Sequence, residues 1–127
     1  MAFTLDIPTI LQYGWAGKQW CVREDMKDYS KLEWLDVSAK PTEQAMLDAE
    51  LTAAKASRVA RSKTEAGERI YAVYPIWKQA NCGMGLYDEP TTTAIKAGVQ
   101  AIRTAQAQAE LDIAALETVA AAIAFTW

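Results

Sequence analysis

The chain has 127 residues, about half of them apolar, and a net charge of −3; that size is one domain or a small domain with an appendage, and that charge gives no general attraction to nucleic acid or to an anionic membrane surface. It contains no histidine, which removes the commonest general base and metal ligand, and its two cysteines, Cys21 and Cys82, are too few for a disulfide framework or a zinc site and read as reduced, buried thiols. No charged start followed by an apolar run marks a signal peptide, and no stretch approaches the ~20 apolar residues of a membrane span, so synthesis and first residence in a cytoplasm are expected.

Residues 1–14 predict a short helix. Asp6 is an acid cap, Pro8 fits the first turn and Gly14 is a natural stop, with Ile7, Ile10 and Leu11 on one face. Two alternating runs follow, Gln19–Arg23 and Lys31–Leu35, separated by the polar turn Asp25–Asp28. Trp20 and Val22 point to one side, Leu32 and Trp34 likewise. A hairpin of this size is marginal in water and needs a cover from the helix before it or the helices after it.

Ser38–Pro41 is a hinge, and Thr42 with Glu43 begins a long helix whose apolar side is small through Ala45, Ala49, Ala53, Ala56 and Ala60. Ile70, Val73, Tyr74 and Trp77 then share a heavier face, which Pro75 should kink or end near Tyr74. Asn81–Gly85 is too glycine-rich to continue and reads as the loop. The last long helix is expected from Thr92 to Ile123 as one rod of roughly 50 Å, capped by Thr91 or Thr92 after Pro90. Its seam of Ile95, Val99, Ile102, Ala109, Ile113, Leu116, Ala120 and Ile123 is a heptad interrupted by Gln106.

A short connection between long helices favours antiparallel neighbours, so residue n faces roughly 172 − n if the loop is centred near 86. Trp77 then meets Ile95, Gly98 makes room for the Tyr74 ring, and Ala60, Ala56 and Ala49 meet Ile113, Leu116 and Ile123, large against small. Charge agrees with the fold-back: residues 1–50, 51–80 and 81–127 carry −4, +4 and −3. Lys55, Arg58, Arg61 and Lys63 fall beside Glu110, Asp112 and Glu117, and Glu65 and Glu68 beside Arg103. The rival is a parallel homotypic coiled coil through 95–123 with Gln106 as a polar layer fixing register, and both can hold at once if hairpins bundle around a symmetry axis. The fold class is thus α+β, mostly α: a small α/β-hairpin head over 1–40 and a coiled-coil-like antiparallel helical hairpin over 41–127.

Chemistry is sparse. There is no Gly-x-Ser-x-Gly elbow and no Gly-rich turn followed by Lys to cradle phosphates. Tyr74 and Lys78 have the Tyr-x-x-x-Lys spacing of some dehydrogenases, but no dinucleotide fingerprint accompanies it. Asp25 and Asp28 lack the Gly and later Glu of a calcium loop. The basic run 55–69 contains Glu65 and Glu68 and no interleaved aromatics, so a solvated or salt-bridged helix face is favoured over a nucleic-acid stripe. No catalytic, cofactor-binding or metal-binding residue is assigned. Five tryptophans and five tyrosines are many for this length, and Trp15, Trp20, Trp34, Tyr74, Trp77, Phe125 and Trp127 are candidate protein-interface anchors. For Trp20, Trp34 and Trp77 the competing reading is core packing; for Trp127 it is a ring folded back over the hairpin's open end.

Two segments carry a resemblance. Leu32-Glu33-Trp34-Leu35-Asp36 with Lys40-Pro41-Thr42-Glu43 resembles the strand-to-helix junction of small tail-associated proteins of tailed bacteriophages. Ile70-Tyr71-Ala72-Val73-Tyr74-Pro75-Ile76-Trp77-Lys78-Gln79-Ala80-Asn81 is similar to a Tyr-Pro-x-Trp-Lys-Gln-x-Asn stretch of phage tail-fibre and fibre-assembly proteins. The resemblance implies a non-enzymatic structural protein of the tail-fibre or baseplate region, a fibre adaptor or attachment subunit with the 1–40 head as the docking part and the helical hairpin as a spacer or oligomerising stem, located in the virion tail and in the host cytoplasm during assembly. Its partners would be other phage tail or fibre proteins in a homo- or hetero-oligomer, with no cofactor, nucleic acid or membrane. A fibre-assembly chaperone is the second expectation, and a helical adaptor unrelated to phage the third.

Overall fold

Asp6 and Pro8 set the first helix. In a computed structural model, described over residues 2–127, α1 spans Ile7–Gly14. The Asp6 carboxylate accepts from the Thr9 N–H at 2.8 Å, which satisfies one of the donors left open at a helix start. Ile7, Ile10 and Leu11 are wholly buried, as their spacing on one face requires.

Strands β1 (Trp20–Val22) and β2 (Leu32–Trp34) pair antiparallel, Trp20 opposite Trp34 and Val22 opposite Leu32. Their apolar residues therefore share one side of the ribbon. The cover is α1 together with the start of α2 (Glu43–Val73): Phe3, Ile7, Ile10, Leu11, Leu32 and Met46 form the core, with Leu5, Trp15, Trp20, Val22, Tyr29, Trp34 and Leu47 packed on it. Glu50 on α2 ties the N-terminal segment to this core, its carboxylate accepting from the N–H groups of Thr4 at 3.0 Å and Leu5 at 3.5 Å.

Thr42 caps α2, its hydroxyl accepting from the Ala45 N–H at 3.0 Å. The helix ends at Val73, before Pro75, as the missing donor demands. The side-chain amide of Gln79 donates to the Tyr74 carbonyl at 2.7 Å, satisfying an acceptor at the break. Helix α3 (Ile76–Gly83) follows, and here the expectation of a loop from Asn81 is corrected. Glycine weakens a helix interior by only ~1 kcal/mol, so the helix runs through Gly83; the residue in the left-handed region is Gly85, with φ 73°.

The last long helix is also corrected. Helix α4 is Glu89–Ala114 and a separate α5 is Val119–Ala124, not one rod from 92 to 123. Its cap is Asp88 rather than Thr91 or Thr92: the carboxylate accepts from the Thr91 N–H at 2.9 Å, with Pro90 in the first turn. Two side chains stabilise the break. Lys55 Nζ donates to the Ala114 carbonyl at 2.8 Å, and Thr118 caps α5 by accepting from the Ala121 N–H at 3.1 Å. The restart changes the helical phase. Ala122 is now the buried residue while Ile123, expected in the seam, is half exposed.

The chain divides into two compact units, one of the residues up to Arg58 with Ile113–Thr126, the other of Val59–Asp112 with Trp127. Within the second, α2 and α4 run antiparallel. The Gln106 amide donates to Ser62 Oγ at 3.2 Å and to Glu110 at 2.9 Å, Lys63 pairs with Glu110 at 3.4 Å, and the Tyr74 ring lies on Gly98. The nearly constant sum of these paired numbers is the register read from the sequence. Gln106 is thus a polar layer between two helices of one chain. Hydrogen bonding from Gln106 and the charge of Lys63 hold the Glu110 carboxyl below its ordinary value. Of the other expected ion pairs, Lys55 instead caps Ala114, and none joins Arg103 to Glu65 or Glu68 among the described residues.

Gly98 is required where it stands. A Cβ there would overlap the Tyr74 hydroxyl and lie 2.6 Å from Cζ of the same ring. Gly98→Ala is expected to lower stability by about 1–2 kcal/mol despite a helix-propensity gain of ~1 kcal/mol. In a Tyr74→Ala background the same change should stabilise. A urea-melt double-mutant cycle measures the coupling, and additive effects would show that the ring does not rest on Gly98.

Candidate docking surface

From Ile70 to Tyr87 the sole charged side chain is Lys78, in a chain that is 23% charged overall. The segment folds as the end of α2, α3 and the turn into α4. Pro75 interrupts the helix, so the residues after it restart in a new phase. Gln79, Cys82 and Gly83 line the side of α3 toward Ile95 and Val99 of α4, while helical phase turns Trp77 to the opposite side. Trp77 is accordingly 61% exposed, whereas Ile95 is buried. The expected pairing with Ile95 therefore does not bury Trp77, because the helix restarts after Pro75.

Tyr71, Val73, Ile76, Trp77, Met84 and Leu86 are each 56–69% exposed. Summed over the six side chains, the exposed surface is on the order of 700 Å², carried mainly by large apolar groups. Aromatic residues and Met with depleted charge are also the composition of interface cores rather than of ordinary surface. Among the described residues, half of the large exposed apolar ones fall between 71 and 86, whereas the others are scattered from Tyr13 to Ile123.

The remaining anchor candidates are engaged within the chain. Trp15, Trp20 and Trp34 pack against the first unit's core; Trp15 and Trp20 also share an open groove of about 390 Å³ with Pro8 and Leu11, and Trp34 Nε1 donates to the Ser38 carbonyl at 2.7 Å. Tyr74 is half-buried on Gly98, with Lys78 Nζ 6.0 Å from its ring centre. Arg58, buried, donates to the Phe125 carbonyl at 2.8 Å, its guanidinium 5.6 Å from that ring. Arg69 stacks on Trp127 at 3.7 Å and donates to its main-chain oxygen at 2.6 Å, while Trp127 Nε1 donates to Glu65 at 3.4 Å. The basic face of α2 thus grips the aromatic rings and carbonyls of the last residues, a role the sequence reading missed. Arginines on one helix and aromatics at 125 and 127 were the available signal, since guanidinium–ring stacking needs no acidic partner.

The titratable groups with displaced pKa values have structural causes. Hydrogen bonds from Ser30 lower Asp28, those from Ser38 lower Asp36, and those from Thr91 lower Asp88; these carboxylates serve turns and caps. Burial, then the nearby Glu43, raises Tyr29, whose hydroxyl donates to the Pro41 carbonyl at 2.6 Å. Cys21 and Cys82 are both free, Cys82 buried and Cys21 half-buried. Among the described residues no group of three or more acidic, Cys or His side chains is placed to hold a metal ion, and no helix is long and apolar enough to cross a membrane. Comparison with protein-family models, curated proteins and solved structures gave no match to this chain.

Proposed function

We propose that this protein is a non-enzymatic structural subunit of the tail-fibre or baseplate region of a tailed bacteriophage, docking onto a neighbouring tail protein through the 70–87 turn. The observation that carries the docking part is the nearly uncharged, aromatic- and Met-rich surface between Tyr71 and Leu86. The phage setting comes from the resemblance, whose second segment, 70–81, coincides with most of that surface. Carboxylates committed to caps and turns support a binding role over a catalytic one.

Quantitative mass spectrometry of purified particles tests the setting. A structural subunit is expected at a fixed stoichiometry with fibre or baseplate proteins. Presence with unassembled fibre chains and absence from mature particles would replace this reading with the chaperone. Absence from both would overturn the phage setting and leave a helical adaptor.

A further inference from the structure

A cleft of about 340 Å³ opens between α3 and α4, and its lining separates by chemistry. Cys82, Ile95 and Val99 supply apolar surface, with Gln79 and Gly83 on the α3 side and Lys96, Gln100 and Arg103 on the α4 side. Lys96, Gln100 and Arg103 stand at i, i+4 and i+7, so helical geometry puts them in one row along the cleft. The amide donors nearby are already bonded, Gln79 to the Tyr74 carbonyl and Gln100 to Thr104 Oγ1. The two cations are not: neither Lys96 nor Arg103 makes an ion pair or hydrogen bond among the described residues.

The carboxylates nearest on the same row of α4 do not answer them. Glu89 precedes Lys96 and Glu110 follows Arg103 by seven residues each, about 10 Å along the axis, which is roughly one Debye length in ordinary buffer. Glu110 is also paired with Lys63. On the α3 side, Ile76 and Gly83 are seven residues apart on one helix face, so the exposed apolar surface of the 70–87 turn runs up to the cleft mouth. A ligand covering that surface would reach the cleft as a chain, not as an isolated small molecule.

We propose that the α3–α4 cleft receives one large apolar side chain of a partner protein, presented by an acidic segment whose carboxylates bind Lys96 and Arg103. The inference rests on the reading of the 70–87 turn as a protein-docking surface and adds the partner's chemistry to it. The apolar floor favours a side chain such as Leu or Phe. Arg103 is suited to a two-pronged carboxylate contact, and Lys96 adds a point charge one end of the row away. Charge of this kind sets which partner is accepted and how fast it arrives.

Gly83 makes the cleft testable. Outside its two chain neighbours and its own helix backbone, no atom lies within 4 Å of the position its Cβ would take, and its backbone is not left-handed. Gly83→Trp is therefore expected to fold, with the indole available to fill the cleft. The probes are two blocked octapeptides with a central leucine, one flanked by aspartates and the other by lysines. They are added to Cys21→Ser protein, in which Cys82 is the one thiol, and the alkylation rate of Cys82 is measured beside the amide shifts of Ile95 and Val99. The acidic peptide is expected to slow alkylation at least ~3-fold at saturation and to move both amides, with the effect shrinking as salt rises past ~0.5 M. Gly83→Trp should abolish the shifts, and Lys96→Glu/Arg103→Glu should weaken binding at least ~10-fold at unchanged melting temperature.

Equal protection by both peptides, protection by neither, or unimpaired binding to the charge-reversed protein would each overturn the proposal. Failure here is separable from failure of the docking surface. If Trp77→Asp blocks incorporation into particles while Gly83→Trp and the charge reversal do not, the surface stands and the cleft does not.

Discussion

Ile113→Ala is expected to remove about 2–5 kcal/mol of stability, a large share of the ~5–15 kcal/mol that holds a domain of this size. Ile113 has no solvent-exposed surface although it lies one residue from the end of α4, so truncation leaves a cavity that a turn can close only in part. The chain tightens immediately after it, the Leu116 N–H donating to the Ile113 carbonyl at 3.1 Å, and Lys55 holds the next carbonyl, that of Ala114. These bonds limit how far the backbone can sink into the space. Leu111 is the control: two residues earlier on the same helix and 66% exposed, its replacement by Ala should cost no more than ~0.5 kcal/mol. Urea unfolding gives both values, with the slope of the transition unchanged if only stability moves. Equal losses at the two positions would show that the face of α4 turned inward has been misassigned.

What the sequence made legible is what local chemistry decides. Asp6, Pro8 and the spacing of Ile7, Ile10 and Leu11 define α1 to the residue, because a cap, a first-turn proline and an apolar stripe all point the same way. Alternation defines the strands and their shared face. The fold-back register held where opposing partners constrain it, at Tyr74 with Gly98 and Lys63 with Glu110. The break after Ala114 was not legible in the same manner. Ala114-Ala115-Leu116-Glu117-Thr118 contains no Gly or Pro, and the heptad continued through Leu116 and Ala120 as if the helix did. The break is stabilised from 59 residues away by Lys55, and the local sign, Thr118 ahead of an apolar run, is also an acceptable mid-helix residue.

The docking surface was half legible for a related reason. Trp77 was singled out as an anchor, but the spacing that grouped it with Ile70, Val73 and Tyr74 presumes one uninterrupted helix. Pro75 breaks that phase, and the same tryptophan becomes exposed. The cleft beside it could not be read from the chain at all. Its floor joins Cys82 to Ile95 and Val99, residues whose proximity depends on how α3 leaves the proline.

The exposure of Trp77 leads to a sharp separation between folding and function. Trp77→Asp should leave the melting temperature within about two degrees, since an exposed position typically changes stability by less than ~0.5 kcal/mol and an acid in the first turn of α3 suits the helix dipole. The same substitution at Trp34, which packs on the core and donates to the Ser38 carbonyl, should unfold the first unit's hairpin by burying a charge without a partner. In assembly the order reverses. A central aromatic anchor is worth about 2–4 kcal/mol, and a carboxylate in its place must also be desolvated. Incorporation of Trp77→Asp into particles, or its affinity for the tail protein it contacts, is thus expected to fall by ~30–1,000-fold, using ~1.4 kcal/mol per factor of ten. Trp77→Phe should recover most of the loss, because the surface requires an apolar ring more than an indole N–H. Full incorporation of a well-folded Trp77→Asp protein would place the interface elsewhere on the molecule and remove the 70–87 turn from its function.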